Sequence, residues 1–168
     1  MARAILALGG NIGDVTAAFV AALDALQKGG ADVMAASSIY RTPPWGVTDQ
    51  PDFLNMAVLV ETRLYAQELL ALCLDIERQS GRVRDLRWGP RKIDIDIVTY
   101  GDARIAEPNL NVPHPHAHER AFVLVPLAEI APKQKIGDTP VIALLADVDA
   151  SGIMCDAQTT QSLRVAGY

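Results

Sequence analysis

The chain has 168 residues, half of them hydrophobic and 21% charged, with a formal net charge of −5. That supplies one sizeable core and predicts a single domain over residues 1–168, while the acidic balance argues against nucleic-acid or anionic-membrane partners. The N-terminal apolar run is too short for a signal peptide or a membrane span, and Cys73 and Cys155 make no disulfide framework, so a cytoplasmic location is expected.

Residues 3–8 (RAILAL) form a short apolar run that predicts a central strand ending at Gly9 and Gly10. Asp14 can cap a helix to about Lys28, with Val15, Phe19, Ala22, Leu23 and Leu26 on one stripe and Gly29 as its stop. Residues 32–40 read as a second strand, followed by a loop over 41–52 whose three prolines preclude regular structure over most of its length. From Phe53 to Glu61 the pattern alternates: Leu54, Met56, Val58 and Val60 point one way, Phe53, Asn55, Ala57 and Leu59 the other. A second helix runs from Ala66 to Ser80, with Leu70, Cys73 and Ile76 inward, and stops at Gly81. A basic loop (GRVRDLRWGPRK) then leads into a fourth strand, IDIDIV. The order β-α-β-β-α-β is that of the ferredoxin-like α+β sandwich, an antiparallel 4-1-3-2 sheet with both helices on one face. C-terminal additions follow. Periodicity leaves open whether 123–130 and 139–149 are helices or turns.

Alternation puts Ile93, Ile95 and Ile97 on the helix face and Asp94 and Asp96 on the other. Two carboxylates so close repel unless a cation compensates, and magnesium pairs one or two carboxylates with substrate phosphates. The positive charge gathers just upstream, in Arg82, Arg84, Arg87, Arg91 and Lys92, and arginine forks match phosphate oxygens. Phe53 and Asn55, with Trp45 and Trp88 in the two long loops, suit a flat heterocycle. Glu77 continues a core-facing helix row and needs a partner, for which an arginine of the following loop would serve. All three histidines fall in PHPHAH. His114 is the candidate for ATP, and His116 and His118 are expected at the surface. GGNIGD lacks the marks of a phosphate-binding loop and reads as a turn into a capped helix. The rival readings are a ferredoxin-like binding module without turnover, an RNA-binding sheet, and a phosphotransferase of the same fold with another substrate.

ALGGNIGD, SSIYRTPPWG, DQPDFLNMAV, RWGPRKIDIDIV and VPHPHAHERAFVLVPLAEIAP together resemble the 6-hydroxymethyl-7,8-dihydropterin pyrophosphokinases over about residues 3–132. The resemblance implies transfer of diphosphate from ATP to the pterin hydroxymethyl group, giving AMP, in folate biosynthesis. It implies that Asp94 and Asp96 hold two Mg2+ ions on the ATP phosphates, and that Arg82 and Arg91 assist transfer. Glu77, Arg84, Trp88, Ile97, His114 and Arg120 would serve the ATP side. Thr42, Pro43, Pro44, Trp45, Phe53, Asn55, Trp88 and Phe122 would surround the pterin. A monomer is expected. Gly10 stands where the family usually has Ser, and Trp45 where it commonly has a smaller aliphatic residue.

Overall fold

A computed structural model describes residues 1–44, 46–81 and 92–168. The elements are β1 (Ala2–Gly10), α1 (Val15–Lys28), β2 (Ala31–Ala36), β3 (Tyr40–Thr42), β4 (Phe53–Thr62), α2 (Ala66–Gln79) and β5 (Asp94–Tyr100). After them come a hairpin of β6 (Ile105–Glu107) and β7 (Leu110–Val112), α3 (Ala121–Ile130), a hairpin of β8 (Lys135–Ile136) and β9 (Thr139–Pro140), α4 (Val141–Ala146), β10 (Met154–Cys155) and α5 (Ala157–Val165).

The main sheet runs β10-β3-β4-β1-β5, with β2 also paired to β4, and the pairings are antiparallel. This is the expected 4-1-3-2 ferredoxin-like order, because β2 and β3 share one side of β4. The single strand expected over 32–40 is two strands. Ser37 is fully buried, donates its N–H to the Ala57 carbonyl, and takes the Ala57 N–H on its own Oγ at 2.9 Å. A side-chain oxygen therefore stands in the ladder where a backbone carbonyl would, and the chain steps out of strand conformation before resuming at Tyr40. β1 also runs on through Gly9 and Gly10, where a stop was expected.

Helix α1 forms as its caps dictate: Asp14 Oδ1 accepts the Ala17 N–H at 3.0 Å, and Val15, Phe19, Ala22, Leu23 and Leu26 are its buried stripe. α2 buries Leu69, Cys73, Ile76 and Glu77. With Leu6, Leu8, Leu54, Met56, Val58, Val60, Ile93, Ile95 and Ile97 the apolar side chains of both helices make the larger core, between helices and sheet.

The other sheet face is not bare along its whole length. Ile5, Ala57 and Val98 pack there with Val123, Leu124 and Leu127 of α3 and Val141 of α4, forming a second core. Segments 123–130 and 139–149, undecided from periodicity, thus contain helices that cover one end of this face. No helix among the described residues is long and apolar enough to cross a membrane.

Candidate active site

Directly paired residues on neighbouring antiparallel strands put their side chains on the same face. On the second face, beyond the α3 cover, one row reads Tyr40, Asn55, Gly9, Asp94 across β3, β4, β1 and β5. The adjacent row is Ala57, Ala7, Asp96. The central strand contributes only Gly9 and Ala7, so the middle of the sheet is a shallow floor. Asn55 rises on one side and the two aspartates on the other, about 10 Å apart at ~4.8 Å per strand. The expected geometry of Asp94 and Asp96 therefore holds: both leave the helix face, and each isoleucine between and beside them is buried in the larger core.

The Asn55 carboxamide is fixed. Its Nδ2 donates to Thr42 Oγ1 at 2.6 Å, which leaves Oδ1 lying over Gly9, where an added Cβ would stand 2.9 Å from it. Asn55 is only 8% exposed, so its carboxamide is largely shielded from water, while Gly9 and Ala7 beside it are half-buried. Phe53 pairs with Thr42 at the end of the same strands, which brings three of the residues expected around a heterocycle together. Pro43 and Pro44 continue from Thr42. The loop they begin is tied down at its far end by Asn11, whose Nδ2 donates to Gln50 Oε1 at 3.0 Å and to the Pro51 carbonyl at 2.8 Å. Sequence reasoning passed over Asn11, as it did the floor residues Ala7 and Gly9. The signal for the floor was present: small residues alternate with Leu6 and Leu8.

Tyr40 belongs to the same row and was also missed. Its hydroxyl donates to Glu129 Oε2 at 2.7 Å, and Glu129 further accepts the Ser38 N–H and hydroxyl at 3.0 Å. Burial and the Glu129 carboxylate push the Tyr40 phenol above its ordinary range, so it stays protonated and donates.

On the aspartate side, His114 is anchored by its N–H to the Val98 carbonyl at 2.9 Å. Its Nδ1 accepts the His116 N–H at 3.1 Å, which leaves the ring proton on Nε2, 3.9 Å from Asp96 Oδ2. Burial first, then the Arg120 charge and His116, push its pKa down to about 4 against a smaller opposing pull from Asp94; the ring is neutral at neutral pH. His116 and His118 are exposed, as expected. Arg120 lies with its guanidinium carbon 5.7 Å from the Phe122 ring centroid, a cation–π pair at the start of α3.

Glu77 is 3% exposed, and its Oε1 accepts the Ile95 N–H at 2.8 Å; the loop arginines expected beside it lie outside the described residues. Ile97 is buried in the helix-side core, so its side chain cannot reach a ligand on the other face. Because the Ile95 N–H points away from β1 toward Glu77, two-residue alternation turns the Ile97 backbone outward at the sheet edge as well. Trp45, Arg82, Arg84, Arg87, Trp88 and Arg91 lie outside the described residues.

An α+β sandwich with two acids and a fixed amide on the half-face that α3 leaves free has the ingredients of a phosphoryl-transfer site. Residues 5–132 match the 7,8-dihydro-6-hydroxymethylpterin-pyrophosphokinase (HPPK) family, and the chain belongs to it. A 2-amino-4-hydroxy-6-hydroxymethyldihydropteridine pyrophosphokinase of Methylorubrum extorquens is 53% identical over 154 residues, covering 91% of this chain and 98% of the other. The protein of the same name from Bacillus subtilis is 48% identical over 128 residues, 76% of this chain and 77% of its own. Among solved structures, the Plasmodium falciparum HPPK-DHPS with pteroate superposes with a TM-score of 0.72 at 16% identity, over 87% of this chain. The chain spans 44% of that protein, and the likeness is one of fold.

Proposed function

We propose that the trough over Gly9 and Ala7 is where this pyrophosphokinase moves diphosphate from ATP to the hydroxymethyl group of 6-hydroxymethyl-7,8-dihydropterin, with the pterin at the Asn55 side and the ATP phosphates at the Asp94 and Asp96 side. The observation that carries the reading is the row Asn55–Gly9–Asp94, which sets a fixed amide and a carboxylate at either end of a floor without a side chain in its middle.

The residues present fit magnesium. Asp94 and Asp96 offer hard carboxylate oxygens on one face, and the Asp96 side chain is 44% exposed, which leaves room for water and phosphate oxygens to complete the coordination. We assign two Mg2+ ions to them. When bound, the ions would neutralise charge on the phosphates.

The chain's own side chains then do the following. Asn55 Oδ1 accepts a ring N–H and Phe53 stacks on the flat face, with Thr42, Pro43, Pro44, Trp45, Trp88 and Phe122 completing the pterin surroundings. This aims the hydroxymethyl oxygen along the floor at the β-phosphorus. The new O–P bond forms as the bond to the α,β-bridging oxygen breaks; AMP leaves with that oxygen, and the hydroxyl proton is released to solvent. His114 Nε2–H donates toward phosphate oxygen, Arg120 adds positive charge, and the outward backbone of Ile97 meets the nucleotide base. Glu77, Arg84 and Trp88 support the ATP side, while Arg82 and Arg91 stabilise the charge of transfer. Positioning and electrostatics supply most of the acceleration, and no side chain is assigned as general base. We further assign residues 1–168 to one catalytic domain, acting as a cytoplasmic monomer without nucleic-acid or membrane partners.

Asp94→Asn and Asp96→Asn test the reading. Each should cut AMP formation from ATP and the pterin by roughly 10² or more while the melting temperature moves little, because both side chains leave the core. Turnover within about threefold of the parent in either variant would discard the assignment.

A further inference from the structure

Strand β3 is three residues long, and it carries Thr42, the partner that fixes the Asn55 carboxamide. One edge of β3 pairs with β4. Its other edge is held by chain beyond the matched residues 5–132: Met154 and Cys155 of β10 pair with Arg41 and Tyr40. The bonds continue past the strand. Asp156 donates its N–H to the Ile39 carbonyl at 2.8 Å, and Thr160 Oγ1 accepts the Ile39 N–H at 2.9 Å. The Asp156 carboxylate pairs with the Arg41 guanidinium and is itself 13% exposed, more shielded than an ordinary surface pair. It also caps α5, accepting the Thr159 N–H at 3.0 Å. Gly152 packs beside Pro43, where an added Cβ would stand in ordinary contact with the ring, at 3.8 Å.

A three-residue strand makes too few ladder bonds to hold its own position to a fraction of an ångström, and short edge strands open readily. Its precision must come from what brackets it. We propose that residues 154–160 set the pterin affinity of this chain, with Asp156 as a positioning residue: it fixes Arg41 and Ile39, these fix β3, and β3 fixes Thr42 and through it the Asn55 amide. The inference rests on the reading that Asn55 meets the pterin. It also predicts selectivity. β3 is separated from β5 by β4 and β1, so loosening β3 reaches the heterocycle end of the trough and not the aspartate end.

Three variants separate the possibilities. Asp156→Ser keeps a good helix cap but loses the Arg41 pair. Asp156→Asn keeps the cap and a neutral acceptor for Arg41. Arg41→Gln breaks the pair from an exposed side chain, without touching α5, and carries the test if Asp156→Ser does not fold. Binding of 6-hydroxymethyldihydropterin is titrated in the presence of a non-hydrolysable ATP analogue, and binding of the analogue with Mg2+ is titrated alone. Asp156→Ser and Arg41→Gln should weaken pterin binding about 3- to 10-fold, Asp156→Asn less, with analogue binding within about twofold. Pterin binding unchanged within about twofold in both, or pterin and analogue weakening together, would overturn the proposal. Asn55→Ala is measured alongside. If it weakens pterin binding while the Arg41 and Asp156 variants do not, the positioning role alone is lost; if it too has no effect, the pterin reading of the trough fails first.

Discussion

Gly9→Ala is the sharpest probe of the trough, because it adds one methyl group to the floor and nothing elsewhere. Gly9 is an ordinary strand residue, paired with Asn55 on one side and Asp94 on the other, so alanine meets no backbone penalty. The new Cβ would lie 2.9 Å from Asn55 Oδ1 and 3.7 Å from the Leu54 carbonyl oxygen. Ordinary contact begins at 3.4 Å, so the carboxamide has to retreat by about 0.5 Å. It cannot retreat toward Thr42, because that hydrogen bond is already 2.6 Å long. The amide must twist, which costs about 0.5–1.5 kcal/mol in side-chain torsion, and it gives up a hydrogen bond worth about 0.5–1.5 kcal/mol net. The free protein carries the torsional strain too, so what is withdrawn from pterin binding is the hydrogen bond, roughly 2- to 13-fold in Kd. The assay is calorimetric or fluorescence titration of the pterin at saturating ATP analogue, with the analogue's own affinity as the internal control. A folded Gly9→Ala protein that binds pterin within about twofold of the parent would refute the argument that Asn55 Oδ1 works from its position over the floor.

Two further outcomes follow from buried groups. Glu77→Ala should lower stability by ~1–3 kcal/mol in chemical denaturation, since it strands the buried Ile95 N–H, and Glu77→Gln, which keeps an acceptor, should lose less; equal losses would show that the amide contact does not matter. Burial, with Glu77 and Asp96 nearby, pushes the Cys73 thiol up to about 12, so it remains un-ionised through neutral and mildly alkaline pH. A thiol-reactive disulfide reagent should therefore titrate Cys155 alone in the native protein and both cysteines in denaturant, and rapid native reaction at both would contradict the packing under α2.

The parts legible in the sequence are those where one periodicity acts over enough residues to dominate. The alternation of Ile93, Asp94, Ile95, Asp96 and Ile97 and that of Phe53 to Glu61 each fixed which side chains meet the helices, and Asp14 and Gly29 bounded α1 because caps are local chemistry. What escaped is non-local or too short. The break at Ser37 depends on its hydroxyl replacing a backbone group opposite Ala57, which no propensity anticipates. Helix α3 (AFVLVPLAEI) is apolar nearly all round, so it offers no amphipathic period to read. The paired strands β8, β9 and β10 have two residues each, fewer than one cycle of alternation needs to be recognised. Glu77 stands out of place on its row, but nothing local in the sequence shows that its carboxylate accepts the strand amide of Ile95.

The location of the trough follows from where the second core stops. α3 seals Ile5, Ala57 and Val98, and the next residue on that face of β4 is Asn55, still 8% exposed. Across the sheet the Asp96 side chain is 44% exposed. One half-face thus grades from dry to wet across three strands. That gradient suits two different tasks. Discriminating a heterocycle depends on leaving a buried acceptor unpaired when the wrong ring binds, which is costly only where water is scarce. Holding phosphates with hydrated divalent ions needs room for water at the carboxylates. A featureless apolar helix, unreadable in sequence, thus marks where the covered part of this face ends, and the readable residues at 55, 94 and 96, to which we assign different substrates, lie beyond it.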